Sequence, residues 1–180
     1  RQLLANILVR QQYFEDAVIR YERALARNSN YLQAYFNLAG LHARQTDYGL
    51  ALSVLQRGLT NLPDNVELLF QMGRVQFVQA RYSEARKTLN RVLRLQPERA
   101  EARELLAQIH LNNRDEKQAL AVLRQGLRYS PDSAVLQARL GALLLQEGRV
   151  DEAAGYLQNA LRSDPDRDEV YYNLGQALLR

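Results

Sequence analysis

The sequence predicts an all-α solenoid built from repeated pairs of antiparallel helices. Three observations predict it. The four prolines, Pro63, Pro97, Pro131 and Pro165, stand 34 residues apart. Two columns keep the same step: an alanine twelve residues before each proline (Ala51, Ala85, Ala119, Ala153, and Ala17 one period earlier) and a leucine four before (Leu59, Leu93, Leu127, Leu161, and Leu25). A third column holds only small residues: Ala5, Ala39, Gly73, Ala107, Gly141 and Gly175. Columns held in register over five periods mark a repeat architecture, in which no unit buries its apolar stripe alone and neighbours must stack.

The frame divides the chain into one uninterrupted array: repeats at about 1–31, 32–65, 66–99, 100–133 and 134–167, then the first helix of a sixth at 168–180. Eleven helices and no strands are expected. In residues 32–44, Tyr35, Leu38, Ala39 and Leu41 fall on one helical stripe; in 50–62, Leu52, Leu55, Leu59 and Leu62 make another. Gln45-Thr46-Asp47 is a polar turn between them, and Asn113-Arg114-Asp115 and Glu147-Gly148-Arg149 match it. Each proline ends a pair, because it cannot continue a helix. Asp64, Asp132 and Asp166 follow the prolines and are expected to cap the next helix. Gly73 and Gly141, opposite Ala85 and Ala153, are expected to let two backbones approach. Short loops force antiparallel neighbours. The last helix carries Tyr171, Leu174 and Leu178 with nothing after them to cover them, so an apolar patch and self-association through open repeat ends are expected. The chain starts at Arg1, inside the first expected helix, and is read as a piece of a longer protein.

Period and columns together resemble the tetratricopeptide repeat (TPR) family. Tyr171-x-x-Leu174-Gly175 carries that family's first-helix trio; Tyr35-x-x-Leu38-Ala39 and Leu69-x-x-Met72-Gly73 nearly do. The second-helix pair appears as Ala17/Tyr21, Ala51/Leu55, Ala85/Leu89, Ala119/Leu123 and Ala153/Leu157. Departures are Arg103 and Gln137 at the large-residue position, Val92 where Ala or Gly is usual, and Ser29 in place of proline. The resemblance implies about 5.5 repeats in a right-handed α-α superhelix with a concave inner face.

Composition narrows the function. Hydrophobic residues make up 47%, enough for a continuous core, and the absence of cysteine excludes disulfides and thiol catalysis. Net charge is +4, and all basic residues but Lys87 and Lys117 are arginine. These arginines are interleaved with Glu and Asp, with no basic run of five, so the reading is a solvated, ion-paired surface and no nucleic-acid partner. The arginine bias points to a GC-rich, bacterial source; periplasm and cytoplasm are both open. No apolar run approaches the ~18 residues of a membrane span, so no membrane insertion of this segment is expected.

No catalytic constellation is visible, and the expectation is a non-enzyme without cofactor or metal. His42 and His110 share one column two repeats apart, which places them at helix seams rather than round one ion. No phosphate loop, G-x-S-x-G or H-E-x-x-H occurs.

In the family it resembles, one face of each first helix lines the groove. Carried onto this chain, that face includes Asn6 and Arg10; Phe36, Asn37 and Arg44; Phe70, Arg74 and Phe77; and Glu101 and Glu104. The family's carboxylate clamp does not fit, because Asn6 and Asn37 are present but Glu67 and Gln71 stand where cations belong. Its asparagine ladder is broken: the column reads Leu3, Asn37, Gln71, Leu105, Arg139, Asn173. What is left is a mixed groove, basic early and acidic later. Its phenylalanines either face the groove or pack sideways between first helices. The function this implies is a protein-interaction scaffold holding a protein or peptide segment, with a bacterial envelope secretion or exopolysaccharide-export assembly as its setting. The alternative is a recruiting arm of a larger enzyme such as a glycosyltransferase.

Overall fold

The computed structural model describes residues 2–179, with side chains from residue 12 onward. Ten helices form, and no strand occurs among the described residues: α1 (Gln2–Arg27), α2 (Leu32–Arg44), α3 (Tyr48–Asn61), α4 (Val66–Val78), α5 (Tyr82–Leu95), α6 (Ala100–Asn112), α7 (Glu116–Tyr129), α8 (Ala134–Gln146), α9 (Val150–Ser163) and α10 (Asp168–Leu178). The eleven expected become ten because the first pair runs as one helix, α1. Where later pairs turn at Thr46 or Gly148, α1 has Gln12; where Asp115 caps α7, it has Tyr13. Neither residue stops a helix or caps one.

The turns inside the other pairs share one geometry. Thr46, Ala80, Arg114 and Gly148 adopt the left-handed conformation, with φ of 64°, 57°, 58° and 78°. The next amide, of Asp47, Arg81, Asp115 or Arg149, donates at 2.9 Å to the carbonyl five residues back. The left-handed residue itself donates three back, Thr46 to Ala43 at 3.0 Å and Gly148 to Leu145 at 3.1 Å. These are paired bonds that close a helix C-terminus and satisfy its free carbonyls.

Turns between pairs are built on the prolines. Asn65 donates to the Leu62 carbonyl at 3.1 Å, and Ser133 to Ser130 at 3.2 Å, so each proline takes the second place of a four-residue turn. Asp64 and Asp132 therefore fall inside the turn, and the expected caps move one residue on. Asn65 Oδ1 accepts from Leu68 N at 3.0 Å, and Ser133 Oγ from Leu136 N at 3.4 Å. At α10 the capping position is Arg167, with no side-chain cap bond.

The chain divides into two compact units, residues 1–88 and 89–180. In the first, α1, α2, α3 and α4 pack in succession, and α2 also meets α4. Its core holds Tyr35, Leu38, Ala51, Leu55 and Leu68. In the second, α6 to α10 pack in succession, with α8 touching both α6 and α10. Its core runs through Ala119, Leu123, Leu136, Leu140, Leu144 and Ala153. The small-residue column behaves as expected at Gly141: a Cβ there would stand 2.7 Å from Leu157 Cγ and 3.2 Å from the Ala153 carbonyl oxygen.

Candidate functional site

In the first unit a trough of about 470 Å³ opens between α2 and α4. It is lined by Phe36, Asn37 and Arg44 from α2, by Gln71, Arg74 and Val78 from α4, and by Tyr48, the first residue of α3. The spacing explains the lining. Residues 37, 40 and 44 of α2, and 71, 74, 75 and 78 of α4, stand three or four apart and so share a face. Arg44 Nε donates only to the Gly40 carbonyl of its own helix at 3.3 Å, and Arg74 Nη1 to Gln71 Oε1 at 3.2 Å. Among the described residues neither arginine pairs with a carboxylate. The lining therefore carries two exposed cations and no acid, histidine, serine or cysteine, which leaves no nucleophile–base pair and suits binding rather than catalysis.

The second unit repeats the trough two repeats later, between α6 and α8, with a volume of about 390 Å³. Glu104 stands where Phe36 does, Asn112 for Arg44, Glu116 for Tyr48, Arg139 for Gln71 and Ala142 for Arg74. Arg139 Nε donates to Glu104 Oε1 at 2.6 Å. An internal ion pair thus fills the place that an aromatic ring holds in the first trough, and the two cations are gone.

The site residues read from sequence fall in different surroundings. Phe36, Asn37, Arg44 and Arg74 line the α2/α4 trough; Glu104 lines the α6/α8 trough. Phe70 is only 6% exposed and belongs to the core of its unit, so the face expected to be open is closed at this residue. Phe77 is half-buried and leans on the Tyr82 ring, centroid to centroid 5.7 Å. Glu101 is exposed and meets Arg99 Nε at 3.4 Å. Asn6 and Arg10 lie outside the residues whose side chains are described. Sequence reasoning missed Tyr48 and Val75. Tyr48 belongs to a second helix, and only the turn geometry brings it over the first-helix face.

The histidines sit at seams. His42 is buried edge-on against Phe14, ring centroids 5.8 Å apart, and His110 Nδ1 lies 3.7 Å from Asp115 Oδ2. No group of three metal-ligating side chains occurs among the described residues, and none of their helices is long and apolar enough to cross a membrane.

Comparison with known proteins bears on the class. Two tetratricopeptide repeat family models match, one over residues 42–109 and 110–174, the other over 3–66. The chain belongs to the tetratricopeptide repeat family, and its fold class is the all-α helical repeat. No curated protein matches the sequence. Among solved structures, the chain is similar to PilF of Pseudomonas aeruginosa, with TM-score 0.73 and 20% identity over 98% of this chain and 85% of that one. It is also similar to TTC0263, a thermophilic TPR protein of Thermus thermophilus, with TM-score 0.70 and 21% identity over 98% and 96%. A third, YrrB, described as a TPR protein with an unusual peptide-binding site, gives 0.64 and 22% over 88% and 82%.

Proposed function

We propose that this chain is a non-catalytic protein-interaction scaffold whose α2/α4 trough holds a partner segment bearing an apolar anchor and an acidic group. The observation that carries the proposal is the trough's combination of the half-buried Phe36 ring with Arg44 and Arg74, two cations without a carboxylate partner among the described residues. Aromatic and arginine side chains in one concave site are what binding hot spots favour. The unpaired cations also steer an acidic segment toward the site. Asn37 and Gln71 supply amide donors and acceptors for its backbone. PilF, TTC0263 and YrrB support the fold alone.

The test is a peptide array screened against the whole chain, followed by titration of its best binder. Peptides pairing an apolar residue with Asp or Glu should dominate, and Phe36→Ala and Arg44→Glu should each weaken them. Selection of peptides without acidic residues would overturn the reading. The setting we propose is a bacterial envelope secretion or export assembly; the arginine-for-lysine bias fits a GC-rich bacterial source and is silent on the compartment. Capture of partners from the source cell tests the setting.

A further inference from the structure

The second unit holds a buried cation that no carboxylate balances. Arg103, on α6, is only 4% exposed. It stands at the column filled by Tyr35 two repeats earlier. Its Nε and Nη2 donate to the Pro97 carbonyl at 3.3 and 3.1 Å, and Nη1 donates to Gln125 Oε1 at 3.2 Å. A guanidinium has five N–H groups, so three bonds leave two unused. The Tyr129 ring lies under the guanidinium carbon at 4.9 Å. Burial pulls the Arg103 pKa below its ordinary value, and Tyr129 offsets this in part; the group stays charged at neutral pH.

Arg103 lines a cavity of about 440 Å³ between α5 and α7. Exposed Arg94 lines the same cavity, and Leu93, Leu106 and Val122 supply apolar wall. No residue of the lining is acidic. Among the described residues neither Arg94 nor Arg103 pairs with a carboxylate.

The equivalent place in the first unit is made differently. There Glu22 and Arg57 stand at the positions of Asn90 and Gln125, and they close on each other at 2.9 Å. Tyr35 fills the interior, its hydroxyl donating to the Ser29 carbonyl at 3.0 Å. The first unit thus balances its cation internally. The second replaces that pair by Asn90 and Gln125, sets Arg103 and Arg94 where Tyr35 and Ala26 stand, and keeps a cavity.

We infer that the α5/α7 cavity binds a small organic carboxylate, held by Arg103 and Arg94 with its apolar body against Leu93, Leu106 and Val122. A guanidinium with two free N–H groups matches the planar, two-oxygen geometry of a carboxylate. The lining sets Leu93, Leu106 and Val122 beside Asn90, Gln125 and the two guanidinium groups, so one wall suits an apolar body and the other a charged, hydrogen-bonding head. Arg103 is too deep for a flat partner surface to reach. The site is independent of the α2/α4 trough.

The experiment titrates the whole chain with sodium benzoate, with benzyl alcohol as its uncharged counterpart, and with inorganic phosphate. NMR reads the Arg103 and Arg94 Nε–H signals and the Gln125 side-chain amide. Benzoate should shift all three saturably, and benzyl alcohol should bind about tenfold more weakly or less, given the strength of charge-assisted hydrogen bonds. Arg103→Gln should lower benzoate affinity by about tenfold or more for the same reason, and Arg94→Gln by a smaller factor. Arg103→Gln is expected to fold, because Gln137 in the same column donates to the Pro131 carbonyl at 2.7 Å. Should it not fold, the benzoate and benzyl alcohol comparison on the parent still decides. Absence of a saturable benzoate shift, equal binding of benzyl alcohol, tighter binding of phosphate, or unchanged affinity in folded Arg103→Gln would each overturn the inference.

Discussion

Arg103 and Pro97 are joined by a hydrogen bond that spans six residues, from the Arg103 guanidinium to the Pro97 carbonyl, with Nη2 at 3.1 Å. The same bond recurs with other side chains. Tyr35 Oη donates to Ser29 O at 3.0 Å and Gln137 Nε2 to Pro131 O at 2.7 Å, each six residues back. At these three places the position thus holds a long side chain with a polar tip, reaching the carbonyl exposed by the turn before its helix, whereas Leu69 fills the same column with an apolar side chain. Residues that look like departures from the family's aromatic pattern make its structural contact by other means.

That equivalence predicts an unequal response to substitution. Tyr35→Phe is expected to cost about 1 kcal/mol, the net value of a hydrogen bond, because it strips the Ser29 carbonyl and also Asn61, whose Nδ2 donates to Tyr35 Oη at 3.1 Å. Arg103→Gln is expected to stay within about 1 kcal/mol of the parent, while Arg103→Ala should cost roughly 2–3 through the lost stem packing and an orphaned carbonyl. Chemical denaturation measures all three. Equal losses for Arg103→Gln and Arg103→Ala would show that the bond contributes nothing.

The turn residues give a second prediction, in which one column holds both signs. Arg114 is left-handed with φ 58°, and Gly148 does the same at 78°. A left-handed residue with a Cβ costs about 1–2 kcal/mol, offset in part by the greater freedom of glycine in the unfolded chain. Arg114→Gly is therefore expected to stabilise by roughly 0.5–1 kcal/mol, and Gly148→Ala to destabilise by a similar amount. Thermal unfolding of the pair checks it; shifts of the same sign would contradict the turn geometry.

A third prediction compares two glycines in the small-residue column. A Cβ at Gly141 would meet Leu157 Cγ at 2.7 Å, whereas one at Gly175 meets nothing within 4 Å. Gly141→Ala is expected to cost about 1–3 kcal/mol by overpacking. Gly175→Ala should gain roughly 0.5–1 kcal/mol from helix propensity. The two changes are chemically identical, so only the neighbouring helix distinguishes them in an unfolding curve.

These contacts mark how far the sequence can be read. Helix positions, pairing and the small column follow from periodicity, because each repeat meets its neighbour in the same way. The caps shift by one residue because proline at the second place of a turn consumes Asp64 before the helix begins. Periodicity divides α1 in two because it supplies a frame even where Gln12 and Tyr13 supply no break. The polar contact of Arg103 is illegible in sequence, since it depends on a carbonyl whose direction only the folded turn sets. Phe36 and Phe70 share a column and a residue type, yet one lines a trough and the other is core. Helical spacing assigns a face; it does not say what covers that face.

A fourth prediction concerns α10. Leu178 is 72% exposed, while Leu144, its equivalent on α8, is fully buried in the core that includes Ala153 of α9. Tyr171, two turns earlier on the same face, is exposed as well. This apolar face is expected to drive weak self-association, seen as a sedimentation coefficient that rises with concentration. Leu178→Asp should abolish the rise. A rise that persists would place the contact elsewhere.

The last prediction separates binding from stability in the α2/α4 trough. Phe70 is core, so Phe70→Ala is expected to cost about 3–5 kcal/mol of stability, as large-to-small core changes do. It is therefore unsuited to testing the site. Phe36 is only half-buried and lines the trough, so Phe36→Ala should unfold far less of the chain and still remove an anchor. If Phe36 is a hot spot, the loss of affinity is about 2 kcal/mol or more, against a few tenths for a rim residue. Arg44→Glu acts differently. Its exposed charge mainly sets the rate of encounter, so an acidic segment should associate more slowly and with a weaker or reversed salt dependence, while its dissociation changes little. The corresponding change two repeats on, Asn112→Glu, sits in a trough already carrying the Glu104–Arg139 pair and should leave the acidic segment's binding unaltered. Stopped-flow association at two ionic strengths, run on all three variants alongside their unfolding curves, resolves the terms. If Phe36→Ala and Arg44→Glu both fold and bind like the parent, the segment does not lie between α2 and α4.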